Sequence, residues 1–135
     1  EQETTDFEKA LMYIIECNLN NVIVFGAVSN RPDHTLNNFS VMNRYYTLIN
    51  IKFIDKDFEI FYLKDGMNRK YSKGKIISLM AMPVAKGVST KGLKYKLKND
   101  TLEFGVHEGT LNVSSSKNIS ITKEKGDLLV FLSIV

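Results

Sequence analysis

"KDFEIFYLKDGMNRKYSKGK", residues 56–75, decides how the rest of this chain is read. Phe58, Ile60 and Tyr62 recur at every second position, which places them on one face of a strand. Asp65-Gly66 is a two-residue turn signal, Met67 to Tyr71 gives a basic return strand, and Gly74 marks a second turn. An antiparallel hairpin accommodates this pattern. Lys64, Arg69, Lys70, Lys73 and Lys75 then fall on its wet side, where lysines keep sheet edges soluble.

Toward the C-terminus, "IISLMAMPV" (76–84) is an apolar strand stopped by Pro83. "GLKYKLKND" (92–100) alternates, with Leu93, Tyr95 and Leu97 inward and Lys94, Lys96 and Lys98 outward. "TLEFGVHEG", "TLNVSSSKN", "ISITKEKGD" and "LLVFLSIV" continue an antiparallel meander to residue 135. Toward the N-terminus, Thr5 and Glu8 have the spacing of a capping box, and Phe7, Ala10, Leu11 and Ile14 follow as the stripe of an amphipathic helix. Met12, Tyr13 and Ile15 widen its apolar surface, so the helix is expected to be covered on more than one side. "VIVFGAV" (22–28) reads as a short strand buried on both faces, and "SNRPDHTLNN" (29–38) as a surface loop able to bind something. From Arg44 onward alternation returns, with Tyr45, Thr47, Ile49, Ile51 and Phe53 on the more apolar face. The expected fold is α+β: one N-terminal amphipathic helix followed by a mainly antiparallel sheet, a meander or sandwich of seven to nine strands, in a single domain spanning 1–135.

The 135 residues suffice to bury a core without a metal or disulfide staple, and the single Cys17 forms no internal disulfide. Cys17 is expected to be a small buried hydrophobe. No run of about 18 apolar residues occurs, and "EQETTDFEKA" lacks the features of a signal peptide. Lys and Arg number 5 against 9 Asp and Glu in residues 1–60, and 13 against 6 in residues 61–135, giving −4 and +7. The second half therefore carries a basic surface.

Chemistry-bearing motifs are scarce. Neither GxxxxGK[ST] nor GxGxxG is present. His34 and His107 have no Cys, Asp or Glu at ligand spacing, and Asp55, Asp57 and Glu59 read as a solvated strand edge rather than a Ca²⁺ loop. Aromatic residues interleave with lysines as in single-strand nucleic-acid platforms, but no RNP pattern accompanies them. Asn-x-Ser/Thr sequons begin at Asn38, Asn99, Asn112 and Asn118. The sequence assigns no catalytic residue, metal or cofactor, and the chain reads as a non-enzyme.

The order of elements carries a resemblance. A helix runs into "NNVIVFG", a strand ending in Tyr62-x-x-x-Gly66 leads to a basic strand with Arg69, and an apolar segment at Ile76–Leu79 precedes a strand pair from Leu93 to Val106. This order resembles the soluble part of type IV pilin-like proteins, in particular the minor pseudopilins of competence and type II secretion systems. The resemblance implies a surface-exposed assembly subunit of an extracellular filament, at an extracellular or cell-surface location, with a membrane anchor or signal removed before residue 1. It implies other protein subunits as partners, met through a helix face of Phe7, Ala10, Leu11 and Ile14, and a DNA- or acidic-partner face of Lys94, Lys96, Lys98, Arg69 and Lys70. No small-molecule substrate is expected. The alternative is a secreted or virion-associated β-sandwich module that recognises a protein or glycan.

Overall fold

The computed structural model describes residues 5–135. The polar start Glu1–Thr4, expected to follow a removed anchor or signal, lies outside the described residues. Contacts divide the chain into two compact units, one ending at Asp55 and one running from Lys56 to Val135.

The first unit contains helix α1 (Asp6–Glu16), strand β1 (Asn21–Phe25), helix α2 (Pro32–Tyr45) and strand β2 (Asn50–Ile54). Half of the expected capping box forms: Thr5 Oγ1 accepts from the Glu8 amide at 3.2 Å. Glu8 does not reach back to the cap. Its buried carboxylate takes a hydrogen bond from the Tyr45 hydroxyl at 2.7 Å and pairs with the Arg44 guanidinium, both in the last turn of α2. β1 and β2 pair in parallel, with Asn21 opposite Asn50 and Phe25 opposite Ile54. Parallel neighbours need a long crossover, and α2 provides it. Phe53 of β2 is fully buried, with the Phe7 ring of α1 and the Phe39 ring of α2 each 5.6 Å away. Such ring pairs contribute about 0.5–1.5 kcal/mol each beyond their burial.

The segment expected to be a loop is thus the start of a helix. Pro32 occupies the first helical position, where its missing N–H costs nothing, and Asp33 complements the positive end of the helix dipole. Phe39, Met42 and Tyr46 then recur at helical spacing, so the alternation read from Arg44 belongs to the strand only from Asn50 onward. The strand expected to be buried on both faces lies at an edge, with Ile23 and Phe25 58% and 74% exposed. On α1, Leu11 is buried and Phe7 and Ile14 are half-buried. Ala10, Met12, Tyr13 and Cys17 are exposed, so neither the covering on several sides nor the buried thiol is found.

The second unit is all strand: β3 (Phe58–Tyr62), β4 (Gly66–Lys70), β5 (Ile76–Lys91), β6 (Asp100–Glu103), β7 (Gly109–Val113), β8 (Asn118–Thr122) and β9 (Lys125–Ser133). β5 does not stop at Pro83. Its first half pairs antiparallel with β9, the β5–β9 register shifts between Ala81 and Ala85, and Ser89–Lys91 pair with β8. β6 and β7 also pair with β5. The irregular stretch around Pro83, a residue that cannot donate to a ladder, lets one strand serve two sets of partners. Ile77, Leu79, Ala85, Leu102, Ile119, Ile121, Leu128 and Val130 have no exposed surface and form the core of the curl.

The expected hairpin does not form. β3 pairs with β9, and β4 pairs with β8. Gly66 has no turn-type φ; a Cβ there would lie 3.1 Å from Thr122 Cγ2, so close approach of β4 to β8 accounts for it. What joins β3 to β4 is an ion pair, Arg69 to Glu59, with two hydrogen bonds of 3.1 and 3.0 Å onto a carboxylate that is nearly buried. Residues 92–99 of "GLKYKLKND" are not a strand but the connection between β5 and β6, and Asp100 opens β6. Gly92 in it has φ +82, and a Cβ would fall 2.1 Å from the Asn118 carbonyl oxygen. The connection is tied to β7 by the buried Asn112 side chain, which accepts from the Tyr95 amide at 2.9 Å and donates to the Tyr95 carbonyl at 2.7 Å. The expected architecture of one helix and a mainly antiparallel meander therefore gives way, among the described residues, to two helices, a parallel strand pair and an antiparallel curl organised by β5.

Two predictions follow from the buried glutamates. The Tyr45 hydroxyl, then the Arg44 guanidinium, hold the Glu8 carboxyl below its ordinary range. The folded value lies below the unfolded one of about 4.3, so its stabilisation is complete above that pH and is lost as pH falls through the depressed value. Glu8→Gln is expected to flatten that acid limb in urea titrations performed across pH. Arg69→Ala leaves Glu59 nearly buried without its cation; unfolding free energy is expected to fall by about 1–3 kcal/mol, measured by denaturant titration at neutral pH.

Candidate functional site

In a parallel sheet, ligands meet the carboxyl ends of the strands, where loops lead into helices. Here that edge is the end of β1 at Phe25, the loop Gly26–Arg31 and the first turn of α2. Gly26 has φ +77, which turns the chain out of the strand. The loop is then fixed by its own polar groups. The Asn38 side chain donates to the Ala27 carbonyl at 2.9 Å, Thr35 Oγ1 accepts from the Ser29 amide at 3.0 Å, and Ser29 Oγ accepts from the Arg31 amide at 3.2 Å.

These bonds present Arg31 and Asp33 on the surface. The guanidinium grips the carboxylate in a two-point fork of 3.0 and 2.7 Å, both side chains 64% exposed. The Arg31 fork, with the His34 backbone N–H adding to it, holds the Asp33 carboxyl below its usual range, so it is ionised at neutral pH. A fork exposed to this degree contributes little to stability. It sets a cation, a carboxylate and the positive end of a helix side by side. That arrangement binds phosphoryl oxygens, because guanidinium matches them with two bonds and helix starts favour anions.

Of the residues expected to be functional, Lys94, Lys96 and Lys98 sit exposed on the β5–β6 connection, with the Lys94 ammonium 5.4 Å from the Tyr95 ring. Arg69 is engaged by Glu59, and Lys70 ends β4. Phe7, Leu11 and Ile14 lie on α1 together with the exposed Ala10. None of these belongs to the β1–α2 loop. Sequence reasoning passed over Arg31 and Asp33; the available signal was Pro32-Asp33 directly ahead of a helical apolar spacing.

Residues 1–53 match the family model for the thiamin pyrophosphokinase catalytic domain, and residues 66–128 match that for the thiamin pyrophosphokinase vitamin B1 binding domain. Both models are of thiamin pyrophosphokinase domains, and between them they match stretches in both units of the chain. Thiamine pyrophosphokinase 1 of Oryza sativa subsp. japonica is 28% identical, with 99% of this chain and 54% of the relative covered; the protein of the same name from Arabidopsis thaliana is 29% identical over the same shares. The crystal structure of thiamine pyrophosphokinase from Bacillus subtilis superposes with a TM-score of 0.88 at 23% identity, covering 98% of this chain and 64% of that one. That from Geobacillus thermodenitrificans gives 0.84 at 20% identity, covering 100% and 64%. The chain thus spans about half the length of the curated relatives it matches.

These matches overturn the pilin-like reading and, with it, the secreted binding module. The thiamin pyrophosphokinase family is one of enzymes, so the non-enzymatic filament subunit is withdrawn, as is the extracellular or cell-surface location that came with it. A vitamin B1 binding domain model over residues 66–128 likewise replaces the expectation of no small-molecule substrate and of subunit or DNA partners. The strand order quoted for the pilin resemblance is shared by many antiparallel sheets and carried no site.

Thr35→Val removes the hydroxyl that holds Ser29. Amide exchange at Ser29 is expected to accelerate while global stability falls by less than about 1 kcal/mol, since the bond is exposed.

Proposed function

We propose that this chain forms part of an ATP:thiamin diphosphotransferase, and that the β1–α2 loop holds the phosphates of the nucleotide. The observation that carries the reading is the Arg31–Asp33 fork at the carboxyl edge of a parallel strand pair, inside the stretch matched by the catalytic-domain model. In the reaction the primary hydroxyl oxygen of thiamin bonds to the β-phosphorus of ATP. The bond from that phosphorus to the oxygen bridging to the α-phosphorus breaks, AMP leaves with the bridging oxygen, and the hydroxyl proton is released.

The chain's contribution is positioning and charge. Arg31 exchanges the Asp33 carboxylate for phosphoryl oxygens and holds them in line, and the α2 start adds its dipole. Developing charge on the leaving oxygens is countered by a guanidinium already in place. Diphosphoryl chemistry also uses a divalent cation that neutralises the phosphates, and such a cation is held by one or two carboxylates together with the phosphates themselves. Asp33, exposed in the first turn of α2, would supply one carboxylate to such a cation.

The test uses the protein expressed from its full gene, supplied with ATP, Mg²⁺ and thiamin, following AMP and thiamin diphosphate by chromatography. Thiamin-dependent AMP formation is expected, and Arg31→Ala and Asp33→Ala should each lower turnover by about 10²–10³-fold without loss of folding. Absence of thiamin-dependent AMP formation in the parent protein, or full turnover in both variants, overturns the reading.

A further inference from the structure

The second unit contains a hollow built from residues outside the β1–α2 loop. It lies at the open end of the β4–β8 ladder, where Lys70 stands opposite Asn118. Its volume is about 640 Å³, and it is lined by Lys70, Tyr71, Ser72, Lys73, Lys117 and Asn118. Three ammonium groups and no carboxylate line it. Among the described residues none of the three lysines is in an ion pair, whereas Arg69, the neighbour of Lys70, is taken up by Glu59.

The frame of the hollow is built. The Tyr71 amide donates to the Lys117 carbonyl at 2.8 Å, and the Ser114 hydroxyl donates to the Ser72 carbonyl at 2.6 Å. The Gly74 amide donates to the Ser114 carbonyl at 2.8 Å, and the Tyr71 hydroxyl donates to the Ser133 carbonyl. The backbone around the lysines is therefore held while their long side chains remain adjustable. Lys70, Lys73 and Lys117 are exposed, and three like charges around one concavity set up a positive field that attracts an anion.

We propose that this hollow is a binding site for a phosphate-bearing anion of the diphosphate type, made of residues other than those of the β1–α2 loop. Its charge excludes the cationic thiazolium ring of thiamin and selects a compact group of two or more negative charges. Its volume suits a small phosphate ester.

The proposal stands or falls independently of the transfer reaction, because the readout is equilibrium binding. Calorimetric titration of the protein from its full gene with inorganic diphosphate is expected to show saturable binding that weakens as salt is raised. Inorganic phosphate should bind more weakly than diphosphate. In an Arg31→Ala background, where the β1–α2 loop no longer competes for diphosphate, the added triple change Lys70→Ala/Lys73→Ala/Lys117→Ala should lose at least about tenfold in affinity. Lys73→Gln alone, a surface change that leaves the framing bonds intact, should weaken binding and remove the diphosphate-induced amide shifts of Ser72 and Asn118. Equal weak binding of sulfate, phosphate and diphosphate overturns the proposal. So does diphosphate affinity that survives in the lysine variants and disappears in Arg31→Ala.

Discussion

One strand carries the second unit. β9, β8, β7 and β6 all hydrogen-bond to β5, and β3 and β4 join through β9 and β8 respectively. A single flat strand could not offer edges to so many partners. The irregular stretch between Ala81 and Ala85 and the positive φ of Gly87 divide β5 into two differently directed ladders. The core residues Ile77, Leu79, Ala85 and Val88 all sit on that strand, so its bend fixes where the apolar side chains converge. Long-range pairing of this kind is costly to nucleate, and the unit depends on strands distant in sequence finding one template.

Among the described residues each unit also buries one glutamate and answers it with an arginine from another element. Glu8 of α1 meets Arg44 and Tyr45 of α2, and Glu59 of β3 meets Arg69 of β4. Such pairs give little net stability, because desolvation of the ions offsets their attraction. They do penalise wrong arrangements, since a misplaced helix or strand would leave a charge buried alone. In α1 the pair replaces the second half of the capping box: the carboxylate that a local rule assigned to its own helix start is spent on a tertiary contact.

Local signals in the sequence located most strands but not their partners. The stretches after Asp100 each contain a strand, and Thr5 caps α1 as its spacing indicates. Alternation states which residues share a face. It does not state which strand lies alongside, so Asp65-Gly66 between two strands looked like a hairpin although its flanks pair elsewhere. Pro32 reads locally as a loop residue yet opens a helix, and the parallel pair, the crossover and the candidate site all depend on that helix start. The Arg31–Asp33 fork has no motif of its own. It becomes visible only once the edge of β1 and the start of α2 are known to be neighbours.

Asn112 shows how folding can override a linear signal. It begins one of the chain's Asn-x-Ser/Thr sequons, yet its side chain is 3% exposed and its amide nitrogen donates to the Tyr95 carbonyl. Once the strand is in place, an enzyme that attaches sugar to asparagine would have to extract β7 to reach that nitrogen. A glycan added beforehand would occupy the space where the β5–β6 connection docks. At this position modification and the native fold are mutually exclusive.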